Sequence, residues 1–301
     1  MDSSFKYFKT RDGISIRYGF MTGVTPKKGS IILLSGRAEF IEKHFETISD
    51  LKRRGFDVFI MDWRGQGLSS RLLINPHKGY VKSFDFYLDD LRLFVKNIVM
   101  PTAVRPVYIL SFSMGGHICL RYLHDHPEGI EKAILVSPMI KMNTSPYPEL
   151  IGKMIAYIVT ALGGEKAYAP GKKGYGAWDE IFEGNRLTSD KTRFFDVKQE
   201  VEKNPDLALG GVTVGWVKAA FDSIDRLLSC GYPEKISTPI LLVRSEKDQV
   251  VCTHAQKTIC SRIENCRLFS IPDSFHEILK EKEHIRAGFW RVFDEFIDKK
   301  N

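Results

Sequence analysis

Short runs that are apolar on both faces recur along this chain, each followed by an amphipathic stretch of helical period. Residues 30–34 (Ser-Ile-Ile-Leu-Leu), 57–61, 107–110 and 133–136 are such runs. Residues 41–54, 84–100 and 114–126 are the helical stretches. A strand with two apolar faces must be covered on both sides, and a strand–helix–strand series supplies that cover through parallel crossovers. Ahead of the series, residues 5–8 and 14–20 flank Asp12-Gly13, a turn pair that tolerates positive φ, so the start reads as a hairpin. The rhythm lapses between 139 and 218, where helical stretches and Gly/Pro loops stand without a convincing strand. It returns with strands 240–243 and 267–271 and helices 253–263 and 284–298. The expected fold is α/β: a mostly parallel, eight-stranded sheet covered by helices on both faces. Residues 1–138 and 219–301 supply its core, and residues 139–218 an inserted helical lid.

The 301 residues are 43% hydrophobic and 27% charged, which suits a large core and excludes a disordered chain or a disulfide-stapled mini-protein. No apolar run is long enough to span a bilayer, and the N-terminus lacks the apolar centre of a secretory leader, so a cytoplasmic place is expected. The five cysteines, at 119, 230, 252, 260 and 266, include no C-x-x-C pair, and free thiols are expected rather than a disulfide or a zinc site. The net charge of +7 is uneven. Residues 1–138 hold 20 Lys/Arg against 14 Asp/Glu, whereas residues 219–301 hold 13 of each. The surplus, with runs at Lys27-Lys28 and Lys52-Arg53-Arg54, reads as a solvated face or as peripheral contact with the anionic inner face of a membrane. No zinc-finger spacing, RNP motif or basic heptad array points to nucleic acid. No obligate protein partner is evident.

The sharpest local signal is Leu110-Ser111-Phe112-Ser113-Met114-Gly115-Gly116, directly after a strand and directly before a helix. That is the setting of the nucleophile elbow G-x-S-x-G. The turn is tight, so the residues two before and two after the nucleophile must be small; here they are Ser111 and Gly115. Ser113 is thereby pushed into the open at the carboxyl edge of the sheet, at a helix N-terminus that favours developing negative charge. Ser111 reads as packing, and Ser137 has no elbow around it.

A serine hydroxyl needs a base. In chain order Ser, acid, His, the partners belong on loops after later strands. Asp248 follows strand 240–243, and His276 follows strand 267–271. Asp248 should fix the His276 tautomer that accepts the Ser113 proton. Glu246 and Asp273 compete as acids. Glu246 lies nearer the strand, and Asp273 sits on the histidine's own loop. His117, His124, His254 and His284 fall in or at helices, and His44, His77 and His126 have no strand-end position. The oxyanion needs two backbone donors. The N–H of Met114 and, after Gly36, the N–H of Arg37 are the candidates. No metal or organic cofactor is called for.

With these residues the chain resembles the α/β-hydrolase superfamily, and within it the bacterial lysophospholipase and monoacylglycerol-lipase-like group. The markers are Gly36-Arg37-Ala38-Glu39, the run Asp62-Trp63-Arg64-Gly65-Gln66-Gly67-Leu68-Ser69, the Ser113 elbow, Asp248 and His276. Segments at Tyr168-Ala-Pro-Gly171 and Gly184-Asn-Arg-Leu-Thr188 are similar to the lysophospholipase branch. The resemblance implies the α/β-hydrolase fold, with Gly36, Asp62, Arg64 and Gly65 as a loop supporting the oxyanion site. It implies a serine carboxylic-ester hydrolase that cleaves a single-chain acyl lipid, a lysophospholipid or monoacylglycerol, through an acyl-enzyme. Apolar residues of the inserted segment, among them Met139, Ile140, Met142, Leu150, Ile151, Met154, Ile155 and Ile158, are candidates for an acyl pocket. Two alternatives stand beside this: a small-ester esterase or peptidase with the same triad, and a non-catalytic binding protein on a hydrolase scaffold. Serine in place of the usual first glycine at 111, and of histidine at 35, bears on substrate more than on reaction type.

Overall fold

The computed structural model describes residues 5–144 and 148–299, apart from the side chains at 178 and 180. The N-terminal residues read for a leader fall largely outside this range. Eight strands form one sheet: β1 (Lys6–Lys9), β2 (Ser15–Met21), β3 (Gly29–Leu34), β4 (Phe56–Met61), β5 (Val107–Phe112), β6 (Lys132–Val136), β7 (Ile240–Ser245) and β8 (Cys266–Ile271). Their order is β1-β2-β4-β3-β5-β6-β7-β8. The hairpin joins β4 antiparallel, and every later pairing is parallel. All six residues of β3, β4 and β5 are buried, as two-sided cover requires.

Alternation along each strand feeds two cores. Ile32, Leu34, Ile109 and Leu135 point to one face, under helices α2 (Asp85–Phe94), α3 (Met114–Asp125) and α7 (Thr253–Arg262). Ile31, Leu33, Leu110 and Val136 point to the other, under α1 (Phe45–Arg53) and α8 (Glu283–Asp298). The helix expected over 84–100 is regular only to Phe94 and widens to a π turn at Val95–Val99. A last α turn, Met100–Thr102, contains Pro101, and the run ends at Ala103, whose N–H donates to the Val99 carbonyl at 2.8 Å.

Between β6 and β7 lie α4 (Glu149–Ala161), α5 (Lys191–Lys203) and α6 (Val214–Leu228). The boundary expected at 218/219 falls inside α6, whose Trp216, Ala219, Ala220 and Leu227 are part of the core under the sheet. Helix α4 is the reverse. Only Ala156 is buried, while Leu150 is 67% and Ile158 55% exposed.

Cys260 and Cys266 are joined by a disulfide, which corrects the expectation of free thiols throughout; Cys119, Cys230 and Cys252 are free. The chain reverses between the end of α7 and the start of β8, so two cysteines without C-x-x-C spacing meet there.

Sheet order also fixes where a site forms. From β3 the chain steps outward to β4, then returns to the opposite side of β3 as β5. The carboxyl ends of β3 and β5 flank this switch point, with Leu34 paired to Ser111, and a crevice opens above them.

Candidate active site

Ser113 occupies that crevice with φ 49° and ψ −113°, a strained conformation for a residue with a side chain. Strand β5 runs straight into α3, and the turn leaves no room beside it. A Cβ at Gly115 would lie 2.5 Å from the carbonyl oxygens of Leu34 and Ser35, and one at Gly116 2.7 Å from Pro138 Cβ. Ser111 is fully buried and its hydroxyl donates to the Ile134 carbonyl at 3.3 Å, the packing role expected of it.

The last two strand ends bring in the partners. His276 Nε2 lies 2.9 Å from Ser113 Oγ, and His276 Nδ1 lies 2.6 Å from Asp248 Oδ2. The other oxygen of Asp248 accepts the N–H groups of Val250 (2.8 Å) and Val251 (3.1 Å), so the carboxylate is held by its own loop. His276 is 3% exposed and packs on the Phe112 ring, with centroids 5.2 Å apart. The competing groups lie elsewhere. Glu246 is exposed, and Asp273 pairs with Lys247 at 2.6 Å. His117 is enclosed between the Met139 carbonyl and the Ser223 hydroxyl, and burial pushes its pKa down to about 3.

The loop after β3 is held from both sides. The Gly36 N–H donates to the Glu39 carboxylate and the Ala38 N–H to Gln66 Oε1. Between them, the N–H of Arg37 has no protein acceptor among the described residues, and neither has that of Met114. Asp62 accepts from the Ile41 and Leu68 N–H groups, both at 2.9 Å, and Trp63 Nε1 donates to the Ser35 carbonyl at 2.9 Å. Burial pushes the Asp62 carboxyl up to about 7, against the pull of those donors and of Arg17. Gly65, at φ 78°, turns this run back on itself. Arg64 faces away, gripping Asp90 of α2 and Asp12 of the hairpin.

A cavity of about 420 Å³ opens at Ser113 and His276. Its apolar wall is Phe112, Leu187, Phe194, Val197, Leu209 and Val250. None of the eight apolar candidates of the inserted segment lines it. Met139 and Ile140 belong to the core, and the α4 residues face outward. A second group went unread in the sequence. Glu39, Lys43 and Glu277 are largely buried side chains of the cavity lining itself, joined by Lys43 at 2.7 and 2.6 Å. Glu39 could be picked out only as part of a motif, and nothing local marks Glu277 as its indirect partner.

Strand order and the strained turn at Ser113 make this an α/β-hydrolase. A solved structure of a soluble variant of monoglyceride lipase from Saccharomyces cerevisiae, in complex with a substrate analog, has the same fold. Its TM-score is 0.77 at 20% identity, over 99% of this chain and 96% of that one. Residues 25–283 match the family described as "Serine aminopeptidase, S33", and the chain belongs to that family. It is 31% identical to lysophospholipase L2 of Escherichia coli (strain K12), over 90% of this chain and 81% of that protein. It is 32% identical to a "Probable lysophospholipase L2" of Haemophilus influenzae, over 89% of this chain and 83% of that protein.

Proposed function

We propose that the protein is a serine carboxylic-ester hydrolase acting on single-chain acyl lipids. Ser113 Oγ attacks the acyl carbonyl carbon while His276 Nε2 takes its proton, and Asp248 steadies the imidazolium. The N–H groups of Arg37 and Met114 hold the oxyanion. The tetrahedral intermediate expels the glycerol oxygen, which takes the proton from His276, and leaves an acyl ester on Ser113. Water then attacks that ester, giving its proton to His276 and its oxygen to the released fatty acid.

The observation that carries this reading is the cavity, whose apolar wall meets Ser113 and whose rim is cationic at Lys172, Lys173 and Lys198. An acyl chain fits the wall. The ammonium of a peptide N-terminus, which an aminopeptidase must hold, meets a lining with five cations against three carboxylates, Glu39, Asp179 and Glu277. The lysophospholipase relatives support the same choice of substrate.

The segment from 139 to the start of α6 is taken as a lid. Lys172, Leu187, Phe194 and Leu209 all line the cavity, which supports that reading. Among the described residues no helix is long and apolar enough to cross a membrane. Peripheral contact with lipid, at the cytoplasmic face, is assigned to the outward side of α4. The basic runs of the first segment are poor alternatives: Lys27, Lys28, Arg53 and Arg54 are bonded to Asp57, Asp298, Asp50 and Asp294.

A panel of lysophosphatidylcholine, monoacylglycerol, short p-nitrophenyl esters and aminoacyl amides tests the proposal. Cleavage of a lipid ester in preference to amides is expected. Turnover of the amides alone would make it a peptidase, and no turnover with no fluorophosphonate labelling would make it a binding protein.

A further inference from the structure

The cavity rim carries a cation pair that the ester chemistry does not use. Arg37 Nη1 donates to the Gly210 carbonyl at 3.0 Å, and that is the one hydrogen bond of its guanidinium among the described residues. Lys172 packs against the neighbouring glycine: a Cβ at Gly211 would lie 2.6 Å from Lys172 Cβ. A small cradle of backbone holds the two together. The Gly211 N–H donates to the Lys173 carbonyl at 2.7 Å, and the Gly79 N–H to the Gly211 carbonyl at 3.0 Å. Both Arg37 and Lys172 line the cavity. Neither forms an ion pair among the described residues, whereas the buried arginines Arg17, Arg64, Arg121 and Arg286 all do. Three acids line the cavity: Glu39 and Glu277 are taken by Lys43, and Asp179, whose charge acts on Arg37, has one oxygen accepting the Gly176 N–H at 3.0 Å. Partial desolvation of its stem against the cavity wall, with Arg37 and Arg186 as like-charged neighbours, pulls the Lys172 ammonium pKa down although its side chain reaches solvent.

Reach points to the anion. The Arg37 guanidinium carbon is separated from its own backbone nitrogen by as many covalent bonds as separate the ester carbonyl carbon of a 1-acyl lysophospholipid from its phosphorus. An acyl group held at the Arg37 N–H therefore places a headgroup phosphate within range of the same residue's side chain.

Resting on the lipid-ester reading above, we propose that Arg37 and Lys172 form a phosphate subsite that selects lysophospholipids of net negative headgroup over neutral monoacylglycerols. The geometry suits a guanidinium fork and a point charge closing on one phosphodiester.

The test compares kcat/KM for 1-acyl lysophosphatidylglycerol and 1-monoacylglycerol of equal chain length, both as monomers. The wild type should prefer the phospholipid. Lys172→Gln and Arg37→Met should each lower the ratio of the two values on the order of tenfold, and Lys172→Arg should keep it. Arg37→Met retains the backbone N–H, and Lys172 is exposed, so its variant carries the test if the other fails to fold. An unchanged ratio in folded variants overturns the subsite, as does a wild type that prefers monoacylglycerol; both leave the lipid-ester reading standing. Inhibition of monoacylglycerol cleavage by inorganic phosphate, without preference for the phospholipid, overturns it too by assigning the pair to free phosphate. A wild type that cleaves p-nitrophenyl butyrate and neither lipid removes both proposals together.

Discussion

Lys43 and Glu277 are joined by a 2.6 Å ion pair between side chains that are each less than a tenth exposed. Glu277 follows His276 in the chain, and Lys43 also grips Glu39, whose carboxylate accepts the Gly36 N–H. Burial opposes the charge on Lys43, but Glu277 and Glu39 outweigh it and hold the ammonium well above its ordinary pKa. The loop after β3 and the loop that carries His276 are thus tied through one cation.

Lys43→Met leaves two buried carboxylates without their partner, at a cost of about 3–5 kcal/mol. Urea unfolding should show that loss. In whatever fraction stays folded, kcat for a short ester should fall more than KM rises, since both loops lose their common anchor. Unaltered stability would mean that the trio is not coupled.

Ser113→Ala should lower kcat on p-nitrophenyl butyrate by roughly 10⁴–10⁶-fold and abolish fluorophosphonate labelling. The far-ultraviolet circular dichroism should not change. Retained turnover would remove Ser113 from the chemistry.

His117 governs an acid-side stability effect. Its folded pKa is depressed to about 3 by burial, so the folded chain refuses a proton that the unfolded chain accepts. Stability is full above the unfolded value near 6.5 and declines as pH falls towards 3. From the unfolded value alone, the contribution at pH 5 is a loss of about 2 kcal/mol. The urea midpoint of the wild type should drop between pH 7 and pH 5 by more than that of His117→Gln.

Gly115→Ala puts a methyl group 2.5 Å from the carbonyls of Leu34 and Ser35, both backbone atoms that cannot swing aside. The oxyanion loop or the elbow must shift. A loss of kcat on the order of 10²-fold is expected, comparable with losing one oxyanion donor. Activity equal to wild type would show that the loop yields freely.

Helix α4 offers Leu150, Met154, Ile158 and, just past its end, Leu162 to solvent. Replacing Leu150 and Ile158 by serine should leave the melting temperature within a degree or two, because neither side chain is buried. Sedimentation with phosphatidylglycerol vesicles should be lost in the double variant. Co-sedimentation equal to wild type would place the lipid contact elsewhere.

The apolar runs made the central strands β3 to β6 readable, because a strand buried on both faces has a pattern that few other segments share, while the hairpin was marked by its Asp12-Gly13 turn. The meeting of Ser113, His276 and Asp248 was also readable: each sits at a strand end, and strand ends follow from strands. Other features depend on which elements become neighbours. The step from β4 back across β3 leaves no local trace. Nor does the outward turn of α4, whose apolar row reads equally well as a pocket wall. The Lys43 trio joins residues more than two hundred positions apart. The disulfide at Cys260 and Cys266 depends on a reversal of the chain and not on a motif.

The order of β7 and β8 in the sheet has a consequence for biosynthesis. The serine end of the site, Ser113 with its helix and the Arg37 loop, is encoded in the first half of the chain, while Asp248 and His276 follow the last two strands to join the edge. A nascent polypeptide still lacking β8 has a serine hydroxyl with no imidazole beside it. The ribosome therefore finishes nearly the whole message before the product has an imidazole at that hydroxyl, and on the proposed mechanism truncated translation products would be inert.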